Sequence, residues 1–303
     1  MNLGTYLIDG ALRCGIISTA EFTVTDIDSL LTGVKQIGPL DDVLDDPAIW
    51  GQLCALTQSE IANGTTRPLE SVSLRSPVVR PSKIIVAGAN SWSHLHEAGV
   101  FTLGAAPKRP MVLCKPPSAL AGPYDHIEYP PQTTQLDYEV ELAVVINQRA
   151  KNVSITGVAD IIGGYTIAND LSARDVQLSV WEENSFFRTH FLGKAIDGFC
   201  PLGPWMITPD SLPANVGLRS FVNGELRQNG NLDDLVFGVA ELISYCSTFM
   251  TLEPGDVFLM GTPAGVGYFM DPPGFLEPGD VVTCEIDGIG SITNKINERR
   301  ATS

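Results

Sequence analysis

Long apolar runs are missing from this 303-residue chain: no stretch approaches the roughly 18 consecutive apolar residues that span a bilayer. The start, Met1-Asn-Leu-Gly-Thr-Tyr, lacks a basic segment followed by an apolar one. It therefore reads as having no secretory leader, and the expectation is a cytoplasmic chain without membrane partners. CxxC spacing is missing too. Cys14, Cys54, Cys114, Cys200, Cys246 and Cys284 are scattered, so reduced, packed thiols are predicted in place of a disulfide framework. Positive charge is scarce: 19 Lys and Arg face 35 Asp and Glu, for a net charge of −16 and a pI near 4.5. Such a surface repels phosphate backbones, which excludes nucleic acid as a partner. It also repels a small anion at long range, but screening over roughly 8 Å leaves the decision to the pocket. A pocket for an anion then needs positive charge of its own. Nucleotide motifs are missing as well, since the glycine-rich run at 261–267 is neither GxGxxG nor a P-loop.

What is present reads as turn-rich β structure, with 29 glycines and 21 prolines. Residues 1–75 form a small α+β unit. Two short apolar strands flank Asp9-Gly10, a hairpin signal, and Asp26–Leu40 and Ala48–Ile61 carry helix-like apolar spacing. Prolines between Arg75 and Ser82 mark a boundary, and residues 80–303 form the second, larger unit. From Lys83 onward the chain is mainly short strands, with helical pattern at 159–162, 171–180 and 237–250. Leu-Glu-Pro-Gly-Asp-Val occurs at 252–257 and again at 276–281, two similar turn-and-strand entries.

Chemistry-bearing residues gather in five segments. In Asp137-Tyr-Glu-Val-Glu, strand alternation puts Asp137, Glu139 and Glu141 on one face, with Tyr138, Val140, Leu142 and Val144 toward the core. Stacked like charges need an offset, and a hard cation held by oxygen ligands supplies one; a solvated edge-strand face is the plainer explanation. Asn169-Asp170 ends a second apolar strand, where Asp170 either projects into a site or caps a helix. His94 and Glu97, three apart on a short helical turn after Asn90, either form a tautomer-fixing pair able to activate water or a surface ion pair. Lys194 is the only lysine between Lys151 and Lys295. It is either a cation set against an anion or a snorkelling surface lysine. Thr262, in Gly-Thr-Pro-Ala-Gly-Val-Gly, either donates to a carboxylate or shapes the turn.

Taken together and in this order, the segments resemble the fumarylacetoacetate hydrolase superfamily over residues 80 to about 295. The resemblance rests on Gly-x-Asn…His-x-x-Glu at 88–97 and Tyr-Glu-x-Glu at 138–141. It extends through Gly-Tyr-Thr-x-Ala-Asn-Asp-x-Ser-Ala-Arg-Asp-x-Gln at 164–177, Gly-Lys-x-x-Asp-x-Phe-Cys-Pro-Leu-Gly-Pro at 193–204 and the Gly-Thr-Pro run. It implies a mixed, β-rich α+β fold: a β-sandwich or barrel-like roll in the C-terminal domain beside a small α+β N-terminal domain, in a homodimer. It also implies Mg²⁺ or Mn²⁺ on Glu139, Glu141 and Asp170, catalytic roles for His94, Glu97 and Lys194, and substrate contacts from Gln177, Thr262, Asn90 and Arg174. The dyad would sit on a lid. One departure stands out: Ser91-Trp92 replaces the aromatic residue that usually follows the asparagine, and Trp181 offers another aromatic wall.

The activity so implied is metal-dependent hydrolysis of a C–C bond in an acylpyruvate-type 2,4-dioxo acid. Water activated by His94 attacks the distal carbonyl, and the enolate leaves. The same enolate serves decarboxylation of oxaloacetate, isomerisation of a 2-hydroxydienoate, or sugar-acid dehydration, and fold does not choose among them. A non-catalytic binding protein that kept the pocket is the rival from another class.

Overall fold

The computed structural model describes residues 1–34, 36–99, 107–179 and 190–298. A twelve-stranded sheet runs through it. Its main path is Thr66–Pro68, Thr23–Asp26, Ala11–Ser18, Asn2–Ile8, Cys200–Ile207, Ile162–Asn169, Val140–Ile146, Val257–Leu259, Ile84–Gly88 and Met111–Lys115. A second sheet has the order Glu225–Asn231, Gly217–Val222, Val281–Ile286, Gly290–Lys295, and Leu136–Asp137 pairs with Ser172–Ala173. The fold is mixed and sheet-rich as expected, without a closed barrel among the described residues.

The two units divided in the sequence share the large sheet, because Asn2 and Leu3 pair with Ile207 and Met206. Apolar side chains from both sides also meet in one cluster, in which Val145 and Met206 pack with Leu3, Leu40, Val43 and Leu53. The hairpin at Asp9-Gly10 forms, both residues having positive φ (49° and 76°), as a primed turn requires. Among the described residues of 26–39 the only helical piece is a 3₁₀ turn at Ile27–Ser29, and an α-helix begins at Leu40; Gly33, at φ 77°, and Pro39 break the periodicity. Ala48–Ile61 splits into helices Pro47–Cys54 and Gln58–Ala62, the second started by a Thr57–Glu60 capping box. The later helices are also shorter than their patterns, Arg174–Gln177 and Val239–Phe249, and Ile155–Ile161 is 3₁₀.

The repeated Leu-Glu-Pro-Gly-Asp-Val segments form matching turns. In each, the aspartate accepts from the backbone N–H three residues earlier, Asp256 from Glu253 (2.7 Å) and Asp280 from Glu277 (2.8 Å). All six cysteines are free, four of them buried. Among the described residues no helix is long and apolar enough to cross a membrane.

Candidate active site

Strand pairing assembles the acidic residues. Val140–Ile146 runs antiparallel to Ile162–Asn169 with Val140 opposite Asn169, which sets Glu139 beside Asp170. The Asp170 N–H donates to the Glu139 carbonyl (2.8 Å), and Asn169 Oδ1 accepts from the Glu139 N–H (3.0 Å). Ligand oxygens of Glu139, Glu141 and Asp170 all lie within 4.8 Å of one another, and all three residues are buried. Tyr138, Val140, Leu142 and Val144 point into the core as alternation predicts. Asp137 does not join the triad. Regular strand geometry is interrupted between Asp137 and Val140, and its carboxylate accepts from Arg174 Nε (2.8 Å) and from the N–H groups of Gly267 (2.7 Å) and Tyr268 (3.0 Å).

Three buried cations face these acids. Lys194 Nζ bonds Glu139 (2.8 Å), Asp170 and Ser172 Oγ (2.9 Å). Lys115 Nζ bonds Asp170 and the Leu171 carbonyl (2.9 Å). Arg174 divides its N–H groups among Asp137, Glu139 (2.7 Å) and Gln177 (3.1 Å). Burial pushes the Glu139 carboxyl up, but Lys194 and Arg174 outweigh it and hold Glu139 well below the usual carboxylate range. Burial works against the Lys194 ammonium, yet Asp170 and Glu139 keep it above the ordinary lysine range and charged.

Glu141 is the acid left over. Among the described residues no cationic side chain lies within salt-bridge distance of it, and its carboxylate accepts from the Gly261 N–H. Burial, reinforced by Asp170 and Glu139, pushes its carboxyl well up. A buried carboxylate in this position takes up either a proton or a positive ion. Three converging carboxylates fit a hard divalent cation, which prefers oxygen ligands and keeps coordination positions for water or a chelating substrate.

Beside the triad stands the predicted pair. The helix Trp92–Glu97 is capped by Ser91, whose Oγ accepts from the His94 N–H (3.3 Å) and donates to the Thr262 carbonyl (2.6 Å). His94 Nδ1 lies 2.6 Å from Glu97 Oε1, and Glu97 Oε2 accepts from the Gly265 N–H (2.8 Å). The carboxylate thus fixes the tautomer, leaving Nε2 for proton transfer. The Phe269 ring stands edge-on to the imidazole, 5.7 Å between centroids.

A cavity of about 310 Å³ joins these groups: His94, Glu139, Glu141, Gln177, Lys194 and Thr262 all line it. Thr262 Oγ1 donates to the Val140 carbonyl (3.0 Å) and accepts from Gln228 Nε2 (2.7 Å). Arg174 reaches the same cavity, with three of its five N–H groups bonded to neighbouring side chains. Asn90 is placed behind it. Its amide bonds the carbonyls of Phe237 (3.0 Å) and Met260 (2.8 Å) and accepts from the Phe237 N–H, a brace between segments. Trp181 lies outside the described residues. Sequence reasoning missed Lys115, the aromatic pair Tyr268 and Phe269, and His190, all in or against the site. Lys115 ends an apolar strand before two prolines, a signal equally suited to a surface lysine.

Comparison with known proteins now bears on this geometry. The family described as fumarylacetoacetate (FAA) hydrolase C-terminal matches residues 83–297. The chain belongs to the fumarylacetoacetate hydrolase family. It is 44% identical over 231 residues to a mitochondrial oxaloacetate tautomerase of Bos taurus, covering 76% of this chain and 71% of the relative. Its fold matches a maleylpyruvate hydrolase from Sphingobium sp. SYK-6, in complex with manganese(II) and pyruvate, at TM-score 0.77 and 28% identity, over 99% of this chain and 100% of that one. It also matches a 2-hydroxyhepta-2,4-diene-1,7-dioate isomerase from Mycobacterium marinum at TM-score 0.74 and 29% identity, over the whole of both chains. The chain is an enzyme of this superfamily, and both the manganese-bound relative and the buried acidic triad point to divalent-metal binding.

Proposed function

We propose that this enzyme interconverts the keto and enol forms of a 2-oxo dicarboxylic acid of the oxaloacetate class, using Mg²⁺ or Mn²⁺ held by Glu139, Glu141 and Asp170. The observation that carries the reading is that His94, held 2.6 Å from Glu97, lines the same small cavity as Glu139 and Glu141 of the triad. The bovine relative named as an oxaloacetate tautomerase supports the choice of substrate class.

A bound divalent cation would supply Lewis acidity that weakens the C–H bond next to the oxo group. His94 Nε2 takes the proton from that carbon, and Glu97 stabilises the imidazolium on the opposite nitrogen. His94 then returns the proton to the oxygen at C2, giving the enol, and the reverse path gives the keto form. Lys194, kept charged by Asp170 and Glu139, offsets negative charge as it develops on oxygen. Gln177 and Thr262 line the cavity that receives the acid, and Met111, Leu113 and Phe269 give it an apolar wall. No step consumes water, so one positioned imidazole suffices.

Hydrolysis of an acylpyruvate is the second reading, favoured by the full-length match to the maleylpyruvate hydrolase. There His94 would deprotonate water in place of carbon. Decarboxylation of oxaloacetate would call on Lys194 but not on a hydrolytic water. The deciding experiment follows decay of the enol absorbance of freshly dissolved oxaloacetate, with Mg²⁺ or Mn²⁺ and with chelator. It is paired with chromatography of acetylpyruvate and fumarylpyruvate reactions and with carbon dioxide release. Metal-dependent acceleration of enol decay with intact carbon skeletons is the expected result. Cleaved dioxo acids with no effect on enol decay would replace the tautomerase reading by the hydrolase. A homodimer and a cytoplasmic location complete the proposal; sedimentation and cell fractionation test them, the bovine relative being named as mitochondrial.

A further inference from the structure

A substrate with two carboxylates poses a problem that the groups described so far do not solve. One end of the acid faces the triad, and the other carries a second negative charge into a cavity with an apolar wall. Burying that charge without a donor is costly. Of the two cationic side chains lining the cavity, one is fully engaged and the other is held in place by acids. Lys194 has three donors and spends them on Glu139, Asp170 and Ser172, while Arg174 is held by Asp137, Glu139 and Gln177. Thr262 is engaged with Val140 and Gln228.

His190 stands in the right place. It opens the helix His190–Lys194 and lines the same cavity as Lys194. The two are four residues apart, so they share a helix face, and about 6 Å of rise separates their backbone positions. Lys194 reaches in to the triad from the last position of this helix, and His190 meets the same cavity from the first. Close packing fixes that register. A Cβ at Gly193 would lie 2.5 Å from Gln177 Cα, so the glycine lets this helix sit directly on Arg174–Gln177. An imidazole donates a ring N–H to a carboxylate in either protonation state, and a carboxylate partner favours the charged form.

Resting on the reading of the substrate as a 2-oxo dicarboxylate, we propose that His190 recognises the carboxylate far from the triad, and so sets the preference for diacids over monoacids. Gln177, whose amide oxygen is taken by Arg174, offers its NH₂ group as a second donor.

The test uses an inert pair, malate and lactate, which share a 2-hydroxy acid head and differ by the second carboxylate. Binding of each is measured by calorimetry on the full chain with Mg²⁺, for wild type, His190→Phe, His190→Gln and Tyr268→Phe. Wild type is expected to bind malate more tightly than lactate. His190→Phe should weaken malate about tenfold or more while leaving lactate within about twofold, which also shows that the variant is folded. His190→Gln, which keeps a donor, should retain part of the preference, and Tyr268→Phe all of it. Unchanged malate binding in His190→Phe, parallel loss of both ligands, or loss of the preference in Tyr268→Phe would each overturn the inference. The tautomerase reading fails separately, if wild type does not accelerate oxaloacetate enol decay; a His190-dependent diacid preference would survive that result.

Discussion

Glu141 rests its buried carboxylate on the backbone N–H of Gly261, while its neighbour Glu139 is held by Lys194 and Arg174. One member of the triad is therefore poised for a cation and the other is already compensated. Adding Mg²⁺ or Mn²⁺ should raise the thermal midpoint, by the equivalent of about 2.7 kcal/mol at a hundredfold excess over Kd. In Glu141→Gln the metal-free protein should be as stable as wild type or more so, because an uncompensated buried acid is gone, and the cation shift should vanish. Differential scanning calorimetry with and without metal checks both halves. An equal shift in the variant would place the cation elsewhere.

The dyad makes a kinetic prediction. His94→Asn should lower kcat on oxaloacetate by about a hundredfold to ten-thousandfold, the usual contribution of a positioned acid–base group. Glu97→Gln should fall between that variant and wild type, since Glu97 acts through the imidazole. Stopped-flow enol decay measures both. Full activity in His94→Asn would remove the imidazole from the mechanism.

Lys115 makes a stability prediction. With its ammonium fully buried against Asp170, Lys115→Met leaves an acid short of one partner and should cost about 3–5 kcal/mol. Urea unfolding measures it. A loss under about 1 kcal/mol would mean that Lys194 alone satisfies Asp170.

A pH effect follows from Asp175. Burial pushes its carboxyl up, but hydrogen bonds from the Thr133 hydroxyl and the Thr134 and Val176 N–H groups outweigh this and hold it below the ordinary value. A depressed folded pKa stabilises above the unfolded value of about 3.9 and is lost as pH falls through the folded one. Asp175→Asn should therefore lower the urea midpoint at neutral pH and flatten its decline below about pH 4. A midpoint with the same acid slope in both proteins would refute this.

Much of the site is legible in the sequence, because Glu141 sits in one of two paired strands, Glu139 and Asp170 adjoin their facing ends, and that pairing follows from two apolar runs. What alternation could not tell is that the strand breaks after Asp137, which turns that acid away to Arg174 and the amides of Gly267 and Tyr268. Arg174 shows the same limit: its motif marks it as a site residue, but its partners are acids brought in from another strand. Lys115 carries no local signature, since only the approach of Asp170, 55 residues later, distinguishes it from a lysine at a sheet's rim. Helical spacing over 26–40 misled for a local reason, the breakers Gly33 and Pro39 outweighing the apolar rhythm.

The pairing of Asn2–Ile8 with Cys200–Ile207 has a consequence for how this chain can be cut. Shortened to 80–303, it would bare the flank of a catalytic-unit strand together with Met206 and Val145, inviting other chains to zip onto it. The amino-terminal unit thus works as a hem, sealing a border that the chemistry itself never touches.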